Sequence, residues 1–313
     1  MQLFCYNENM KIPITQSKEW QKLQDDLGEK SFFFTEKGYQ YLAILKNTPI
    51  GNYLYLPYGP VAEEKSGFKN AIKSLEKLAN REKAFFIRIE PLNLDFVRVF
   101  PKNTKKSKDL NPKETWIIDL KGSDEDLKKR LPSRLLRYYR NIEKNDISIE
   151  TSKKPEDIKY LLDLQKALAA KKGISTFSEE YLKTELKQPF STLYLLKKNG
   201  EVIAAGLVFD DKTTRYDLQG AQSEDGRKQH ATGILSIQII LDAKQKGLKD
   251  FDFWGIAPEN APKNHPWAGF TNFKKTFEGT EVDHAGTYDI ILNQTKYKVY
   301  QIIRKLNRLI RRA

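Results

Sequence analysis

The sequence predicts an α/β fold with mixed sheets, in which one structural unit occurs twice along the 313 residues. Apolar runs typical of strands alternate with helical periodicity in both halves. The hairpin glycines Gly38 and Gly200 lie 162 positions apart, and the strand-closing prolines Pro91 and Pro258 lie 167 apart. This nearly constant offset favours a duplicated unit, although common αβ patterns could also recur by chance.

Both halves have the same order of predicted elements, namely a hairpin, a strand, a helix and another strand. Glycine marks each hairpin because it adopts the backbone conformation that tight turns need. The first half is predicted to contain a helix (17–27), strands (32–34, 39–45 and 53–56), a helix buried at Phe68, Ile72 and Leu75, and strands (85–89 and 115–120). The second half is predicted to contain a long helix (124–144), a hairpin (193–196 and 202–209), a strand (215–218), a helix (232–246), a strand (251–254) and a last helix (297–312).

The domain boundary is predicted close to residue 122, where a glycine follows the strand at 115–120. The first domain then covers residues 1–121, and the second covers residues 122–292. The C-terminal helix, residues 293–313, is expected to join the first domain.

The charge of the chain indicates an anionic partner. Its 54 Lys and Arg residues exceed its 41 Asp and Glu residues, which gives a formal net charge of +13. Nucleic acid, phosphates and an acidic membrane surface all fit such an excess, and so does a basic protein with no such partner.

Cysteine and histidine usage predicts no metal site and no cofactor. Cys5 is the only cysteine, so the chain has no internal disulfide and no site with several thiolate ligands. The three histidines, His230, His265 and His284, are too widely spaced for a local metal motif. The N-terminus lacks a basic segment followed by an apolar one, and no apolar run reaches the length of a membrane span. We therefore expect a cytoplasmic protein, with peripheral contact at the inner membrane face left open.

Two basic segments are candidates for binding a polyanion. Residues 128–144 contain seven basic residues and one acid. On one continuous helix, Arg130, Arg134 and Arg137 would lie on the same face, where they could contact phosphate or RNA or remain a solvated surface. Residues 296–313 contain seven basic residues and no acid beside an apolar stripe. That helix could lie on an anionic membrane, bind RNA or pack on the protein.

The most specific candidate site follows the strand at 251–254. An aromatic-rich loop, residues 267–275, comes after a polar connection. Loops after strand ends are where α/β proteins place ligands. Lys274 in this loop could stabilise a developing oxyanion.

Four segments in order carry a resemblance to a known family. They are residues 55–61 (YLPYGPV), 134–144, 252–255 (DFWG) and 267–275. Together they resemble the FemABX family of peptidoglycan-bridge aminoacyltransferases over nearly the whole chain. No coiled-coil arm is evident in the second half, so the chain is most similar to the shorter FemX members.

The resemblance implies two GNAT-like domains in a monomer that moves an amino acid from aminoacyl-tRNA to the stem-peptide amine of a peptidoglycan precursor. The precursor is UDP-linked or lipid-linked, and the product is an interpeptide bridge. The residues that the resemblance assigns to catalysis are Lys274 and Phe273. Those it assigns to substrate binding are Glu90, Tyr216, Tyr181, Lys22 and Trp254. A phosphate-binding Arg expected close to Phe177 is absent.

The chemistry of this reaction needs no nucleophilic residue. The sequence contains no evident Ser-His-Asp or Cys-His set, so we expect direct transfer without an acyl-enzyme. One alternative is an acyl-CoA-dependent N-acetyltransferase, whose pyrophosphate is held by a Gly-rich turn at a helix start. The corresponding segment here, residues 227–233, is poor in glycine. The other alternative is a non-enzymatic module that binds RNA or the cell envelope.

Overall fold

The computed structural model describes residues 11–172, 176–262, 265 and 267–310, so Cys5 and the outermost residues of the first predicted domain and of the C-terminal helix lie outside it. The chain divides into two compact units. The first unit comprises Met1–Lys113 and Asp283–Ala313, and the second comprises Glu114–Val282. Each unit has its own mixed sheet and its own buried core. Strands and helices are numbered in order along the whole chain.

The first unit contains a seven-stranded sheet in the order β1-β2-β3-β5-β14-β6, with β4 paired to β2. Strands β3 and β5 run parallel, and the other paired strands are antiparallel. The strands are β1 (Lys30–Glu36), β2 (Tyr39–Thr48), β3 (Gly51–Leu56), β4 (Val61–Ala62), β5 (Ala84–Ile89), β6 (Thr104–Lys106) and β14 (Tyr288–Ile291). The helices are α1 (Lys18–Asp26), α2 (Lys65–Arg81) and α10 (Gln294–Ile310).

Local sequence signals explain the core of this unit. Gly38 adopts a φ of +87°, which closes the predicted β1–β2 hairpin at minimal steric cost. Helix α2 buries Phe68, Ile72 and Leu75 against the sheet, as their helical spacing predicts. Burying each of these side chains stabilises the fold by about 1.5–3 kcal/mol.

The C-terminal segment belongs to the first unit. Strand β14 pairs with β5 and β6, and the Tyr297 and Tyr300 side chains of α10 pack on Phe86. Arg88 on β5 and Asp289 on β14 form a buried ion pair with an Nε–Oδ1 distance of 2.7 Å. These contacts connect the C-terminal segment to β5, a central strand that lies about 200 positions earlier in the sequence.

The second unit contains a seven-stranded sheet in the order β13-β7-β12-β11-β10-β9-β8. Strands β11 and β12 run parallel, and the pairs β10–β11, β9–β10, β8–β9 and β7–β12 are antiparallel. The strands are β7 (Glu114–Asp119), β8 (Ile147–Ser152), β9 (Ser191–Lys198), β10 (Glu201–Asp210), β11 (Thr214–Gln222), β12 (Asp250–Gly255) and β13 (Thr280–Asp283). The helices are α3 (Asp124–Arg130), α4 (Ser133–Tyr139), α5 (Ile158–Lys172), α6 (Glu179–Leu186), α7 (Glu224–Lys228), α8 (Ala231–Gln245) and α9 (Ala268–Lys274).

The two sheets confirm the duplicated fold. If the strand order in each sheet is given from its β-hairpin, the first sheet has the order β1-β2-β3-β5-β14-β6. The second sheet has the order β9-β10-β11-β12-β7-β13, and β8 is an additional edge strand beside β9. In both sheets the third and fourth of these strands are the parallel pair, and they are joined through α2 in one unit and α8 in the other.

Two predicted features differ from the structure. The strand predicted at 115–120 to end the first domain is β7, which pairs with β12 and so belongs to the second unit. The long helix predicted at 124–144 is broken into α3 and α4, because Pro132 lacks an N–H and forces Leu131 into an extended conformation with ψ of 148°. The prediction that Arg130 shares one continuous helix face with Arg134 and Arg137 is therefore wrong.

One irregularity positions the candidate site. The ladder between β11 and β12 joins only Thr214–Tyr216 to Asp250–Asp252, although β11 continues to Gln222 and β12 to Gly255. A bulge in the pairing of β10 with β11 falls in the continuing part of β11. We call the region beyond the last β11–β12 pair the fork.

Candidate active site at the fork

The fork begins at Tyr216, the last β11 residue that pairs with β12. Its side chain is buried, its hydroxyl donates to Asp211 Oδ2 at 2.7 Å, and its ring lies edge-on to Trp254 with centroids 5.9 Å apart. Burial and the Asp211 carboxylate raise the pKa of Tyr216 well above its usual value, so the phenol stays protonated. Tyr216 thus supports the position of Trp254.

Trp254 itself has a strained backbone at the end of β12. Its φ is +64°, a backbone region that residues other than glycine rarely adopt. Its N–H donates to Asp252 Oδ1 at 2.7 Å, which holds this conformation. Strain of this kind is often retained where function requires a particular geometry.

Lys274 lies at the end of α9, beside the last residue of β12. Its Nζ donates to the carbonyl of Gly255 at 2.6 Å, and the side chain is half-buried. Burial lowers the pKa of Lys274, and the carboxylates of Asp217 and Asp252 oppose that shift. The structure thus places the amine at the fork, with two carboxylates close enough to influence it.

Asp217 follows Tyr216 on β11 and lies inside the fork. Burial raises its pKa from 3.8 to about 6, and the positive charge of Lys274 opposes this shift. A carboxyl with a raised pKa beside an amine with a lowered pKa is the arrangement in which a proton can be exchanged close to neutral pH.

A second buried carboxyl, that of Glu185 on α6, contacts the Gln219 side chain of β11. Glu185 is 3% exposed and accepts a hydrogen bond from Gln219 Nε2 at 2.9 Å, and its carboxyl is also hydrogen-bonded to Tyr181. Burial raises the pKa of Glu185 from 4.5 to about 8. Gln165 Nε2 donates to Gln219 Oε1 at 3.1 Å, and Gln165 Oε1 is buried with no partner within the described residues.

Tyr181 and Phe177 extend this cluster towards solvent. Their rings stack with centroids 4.9 Å apart, and Phe177 is 54% exposed. Burial raises the pKa of Tyr181, and the Glu185 carboxyl adds to that shift. An exposed aromatic face therefore leads to a buried carboxyl that is protonated at neutral pH.

Phe273, the neighbour of Lys274, has a packing role in this structure. Its ring contacts Phe253 and Phe277 with centroid distances of 6.3 and 5.5 Å, and it borders the core of the second unit. It fixes α9 against the sheet and thereby helps to position Lys274.

The first unit contains the predicted substrate residues Glu90 and Lys22. The Glu90 carboxylate is 3% exposed and accepts hydrogen bonds from Thr287 Oγ1 at 2.6 Å, Asn111 Nδ2 at 2.7 Å and the Tyr55 hydroxyl at 2.9 Å. Protein groups therefore occupy both of its oxygens. Lys22 is exposed on α1 and pairs with Asp26 at 2.8 Å.

The arginines predicted to bind RNA lie around an aromatic pair. Tyr138 on α4 stacks on His230, with centroids 5.0 Å apart and an interplanar angle of 9°. The guanidinium groups of Arg134 and Arg137 lie 5.6 and 5.7 Å from the Tyr138 ring, and Arg134 Nε donates to its hydroxyl at 3.1 Å. Arg130 ends α3, before the break at Pro132.

Sequence reasoning missed Asp217, Gln219 and Glu185. One signal was available for Glu185, because it lies between Leu182 and Leu186 on the buried face of a short helix. Asp217 carried no comparable signal, since its burial depends on the place where the β11–β12 ladder stops. No group of three or more His, Cys, Asp or Glu residues in the described ranges could hold a metal ion.

The repeated sheet, the bulged strand and the forked parallel pair define the chain as a duplicated α/β protein with two mixed sheets. The structure of FemX has a TM-score of 0.78 at 17% identity, with 92% of this chain and 94% of FemX covered. The structure of L-PGS from Bacillus licheniformis has a TM-score of 0.59 at 16% identity, with coverages of 97% and 99%. At these identities the two structures establish the fold alone.

The sequence comparisons indicate a family over part of the chain. Residues 186–305 match the model of the FemAB family. A stretch of 120 residues is 25% identical to the lipid II:glycine glycyltransferase of Staphylococcus haemolyticus (strain JCSC1435). This stretch is 38% of the present chain and only 28% of the length of that relative. Over this part of its sequence the chain is similar to the FemAB family, and it shares the fold of FemX over most of its length.

Proposed function

We propose that the protein transfers an amino acid from aminoacyl-tRNA to the stem-peptide amine of a peptidoglycan precursor and so builds an interpeptide bridge. The observation that carries this proposal is the position of the family match. Residues 186–305 include the fork residues Tyr216, Asp217, Trp254 and Lys274. The name of the glycyltransferase relative supports a precursor that ends in an amine-bearing stem peptide.

The reaction converts an ester into an amide. The acceptor nitrogen attacks the ester carbonyl, the new C–N bond forms, and the C–O bond to the terminal ribose of the tRNA breaks. An alkyl ammonium has a pKa of about 10.4 and must lose a proton before it attacks. Asp217, with a pKa of about 6, suits the role of proton acceptor near neutral pH.

Lys274 is assigned to the charge that develops on the ester oxygen. Its ammonium lies at the fork beside Gly255 and Asp217, where burial excludes much of the solvent. An oriented donor in such a place typically stabilises the transition state by about 3 kcal/mol. Tyr181 and Trp254 are assigned to substrate binding, and Tyr216 to the support of Trp254.

The large basic surface suits a tRNA donor. The formal net charge is +13, and Arg134 and Arg137 lie beside a half-buried aromatic pair against which an unstacked base could stack. A tRNA donor implies a reaction on the cytoplasmic side, where a lipid-linked precursor would bring the protein to the inner membrane face. No helix in the described part of the chain is long and apolar enough to cross a membrane.

A transfer assay with two donors tests the proposal. Purified protein and a muropeptide acceptor are supplied either with a pool of charged tRNAs or with acetyl-CoA. We expect label to reach the acceptor amine only in the tRNA arm, and RNase treatment of that arm to abolish transfer. Transfer from acetyl-CoA that is insensitive to RNase would overturn the tRNA donor and identify an acetyltransferase. The assay is run with lysine-containing and diaminopimelate-containing acceptors, in soluble and lipid-linked form.

A further inference from the structure

Helix α10 has two apolar stripes, and only one of them is covered. The inner stripe consists of Tyr297 and Tyr300, which are 5% and 8% exposed and pack on Phe86. Helices of soluble proteins ordinarily direct a single apolar stripe towards the core. The inner stripe already fulfils that role, so a second stripe requires its own explanation.

The outer stripe consists of Val299, Ile302 and Leu306. These side chains are 41%, 59% and 53% exposed. Their spacing of three and four positions places them on one line along the helix. At about 100° per residue, Ile302 lies about 160° around the helix from Tyr300, so the stripe faces away from the core.

Charge beside the outer stripe is of one sign. The sequence of α10 contains five basic residues and no acid. Lys298 and Lys305 are exposed, and the helical periodicity places both on one flank of the stripe. An aliphatic stripe with basic residues beside it and no acidic residue is the pattern of a helix that lies in the interface of an anionic bilayer.

We propose that the outer face of α10, formed by Val299, Ile302 and Leu306 with Lys298 and Lys305 beside them, binds the surface of an anionic lipid bilayer. The aliphatic side chains would insert among the upper acyl segments, while the lysines would pair with lipid phosphates. RNA fits this face less well, because single-stranded RNA is bound mainly through aromatic stacking. A second copy of α10 fits poorly too, since two strongly basic faces would repel each other.

The purpose of this contact rests on the proposed function, because a membrane-bound enzyme would meet a lipid-linked acceptor. Binding itself requires neither donor nor acceptor. A vesicle experiment therefore tests the docking face separately from the transfer reaction, and transfer to a soluble acceptor tests the reaction separately from the docking face.

The experiment measures co-sedimentation of the full chain with vesicles of phosphatidylcholine alone and with vesicles that also contain phosphatidylglycerol. We expect binding to the anionic vesicles that weakens as salt rises, and little binding to phosphatidylcholine. The double variant Ile302→Ser with Leu306→Ser keeps the charge and should weaken binding at least tenfold. The matched variant Ile302→Leu with Leu306→Ile preserves the apolar stripe and should bind as the wild type does.

Any of the following outcomes would overturn the proposal. Absence of binding to anionic vesicles, or equal binding to both vesicle types, would remove the anionic bilayer as the partner. Full binding by the serine variant would exclude the outer stripe as the docking face. Displacement of the vesicles by RNA, with RNA binding lost in the serine variant, would assign the face to RNA. Because Ile302 and Leu306 are exposed, an unchanged thermal unfolding temperature should confirm that the serine variant remains folded.

Discussion

Glu185 should make the second unit less stable as pH rises, and replacement by Gln should remove that dependence. The carboxyl is buried on α6 and its pKa is raised from 4.5 to about 8. Between these values the folded protein retains a proton that the unfolded chain has lost. The contribution of Glu185 to stability is therefore fully present below pH 4.5 and is lost as pH rises through 8. In Glu185→Gln the amide oxygen can still accept the hydrogen bond from Gln219, but nothing ionises.

The size of the effect follows from the two pKa values. A difference of one pH unit corresponds to about 1.4 kcal/mol, so the span from 4.5 to about 8 sets an upper limit on the order of 5 kcal/mol. Local opening of α6 would admit water to the carboxylate and reduce this figure. We therefore expect Glu185→Gln to gain at least about 2 kcal/mol relative to wild type between pH 5 and pH 8.5.

Urea unfolding at the two pH values measures this gain. Tryptophan fluorescence reports mainly on the second unit, which contains Trp116, Trp254 and Trp267, three of the four tryptophans. The control is Glu180→Gln, the same chemical change at an exposed position of α6, which should leave the pH dependence as in wild type. If Glu185→Gln and wild type lose stability in parallel from pH 5 to pH 8.5, the reasoning about burial is refuted.

Three further predictions test the site, the basic cluster and the first unit. Lys274→Met should lower turnover by about 100-fold or more through loss of one oxyanion donor, and the neighbouring exposed variant Lys275→Met should stay close to wild type. Near-normal turnover of Lys274→Met in the transfer assay would contradict the assignment. Replacing Arg134 and Arg137 together by Gln should lower the slope of log affinity for tRNA against log salt by about 2, as filter binding can measure; an unchanged slope would place the RNA contact elsewhere. Asp289→Asn should lower the free energy of unfolding by about 3–5 kcal/mol, because it leaves a buried guanidinium without its counter-charge; a loss below about 1 kcal/mol in urea unfolding would argue against that role.

The features that the sequence predicted well are those encoded locally. Gly38 and Gly200 marked the two hairpins and have φ values of +87° and +82°. Periodicity identified α2, whose apolar positions face its sheet, and Gly247, with a φ of +76°, marked the end of α8. The break at Pro132 was also a local signal, but the run of basic residues around it was interpreted as one helix.

The partner of β7 could not be predicted in this way. Apolar periodicity identifies a strand, whereas the choice of sheet depends on pairing with distant residues. Strand β7 directly follows the first half in sequence, yet it pairs with β12, while β14 takes the equivalent position beside β5. Each unit thus fills the same sheet position with a strand from a different place along the chain.

The candidate site was predicted in part for a similar reason. Lys274, Trp254 and Tyr216 stood in recognisable segments, and the structure places all three at the fork. Asp217 and Glu185 gained their raised pKa values from burial that only the folded sheet and helices create. No residue type or spacing in one sequence encodes that burial directly.

The two units differ at the position that matters for chemistry. In the first unit the parallel β3–β5 ladder has a register shift between Asn52 and Leu54 but continues to the end of both strands, where Leu56 lies opposite Ile89. Glu90 follows Ile89, and both oxygens of its carboxylate accept hydrogen bonds from groups of the protein itself. In the second unit the equivalent ladder stops at Tyr216, and β11 continues without a parallel partner.

Beyond Tyr216 the backbone groups on the β12 side of β11 have no ladder partner in β12, unlike those of the first unit's parallel pair. Such groups cost stability when left without partners, so the open fork is explained by a ligand more readily than by packing. The raised pKa values of Asp217 and Glu185 are consistent with this difference. We therefore propose that the transfer chemistry takes place in the second unit. The closed first unit provides the Glu90 network and carries α10, the helix that we propose binds the bilayer.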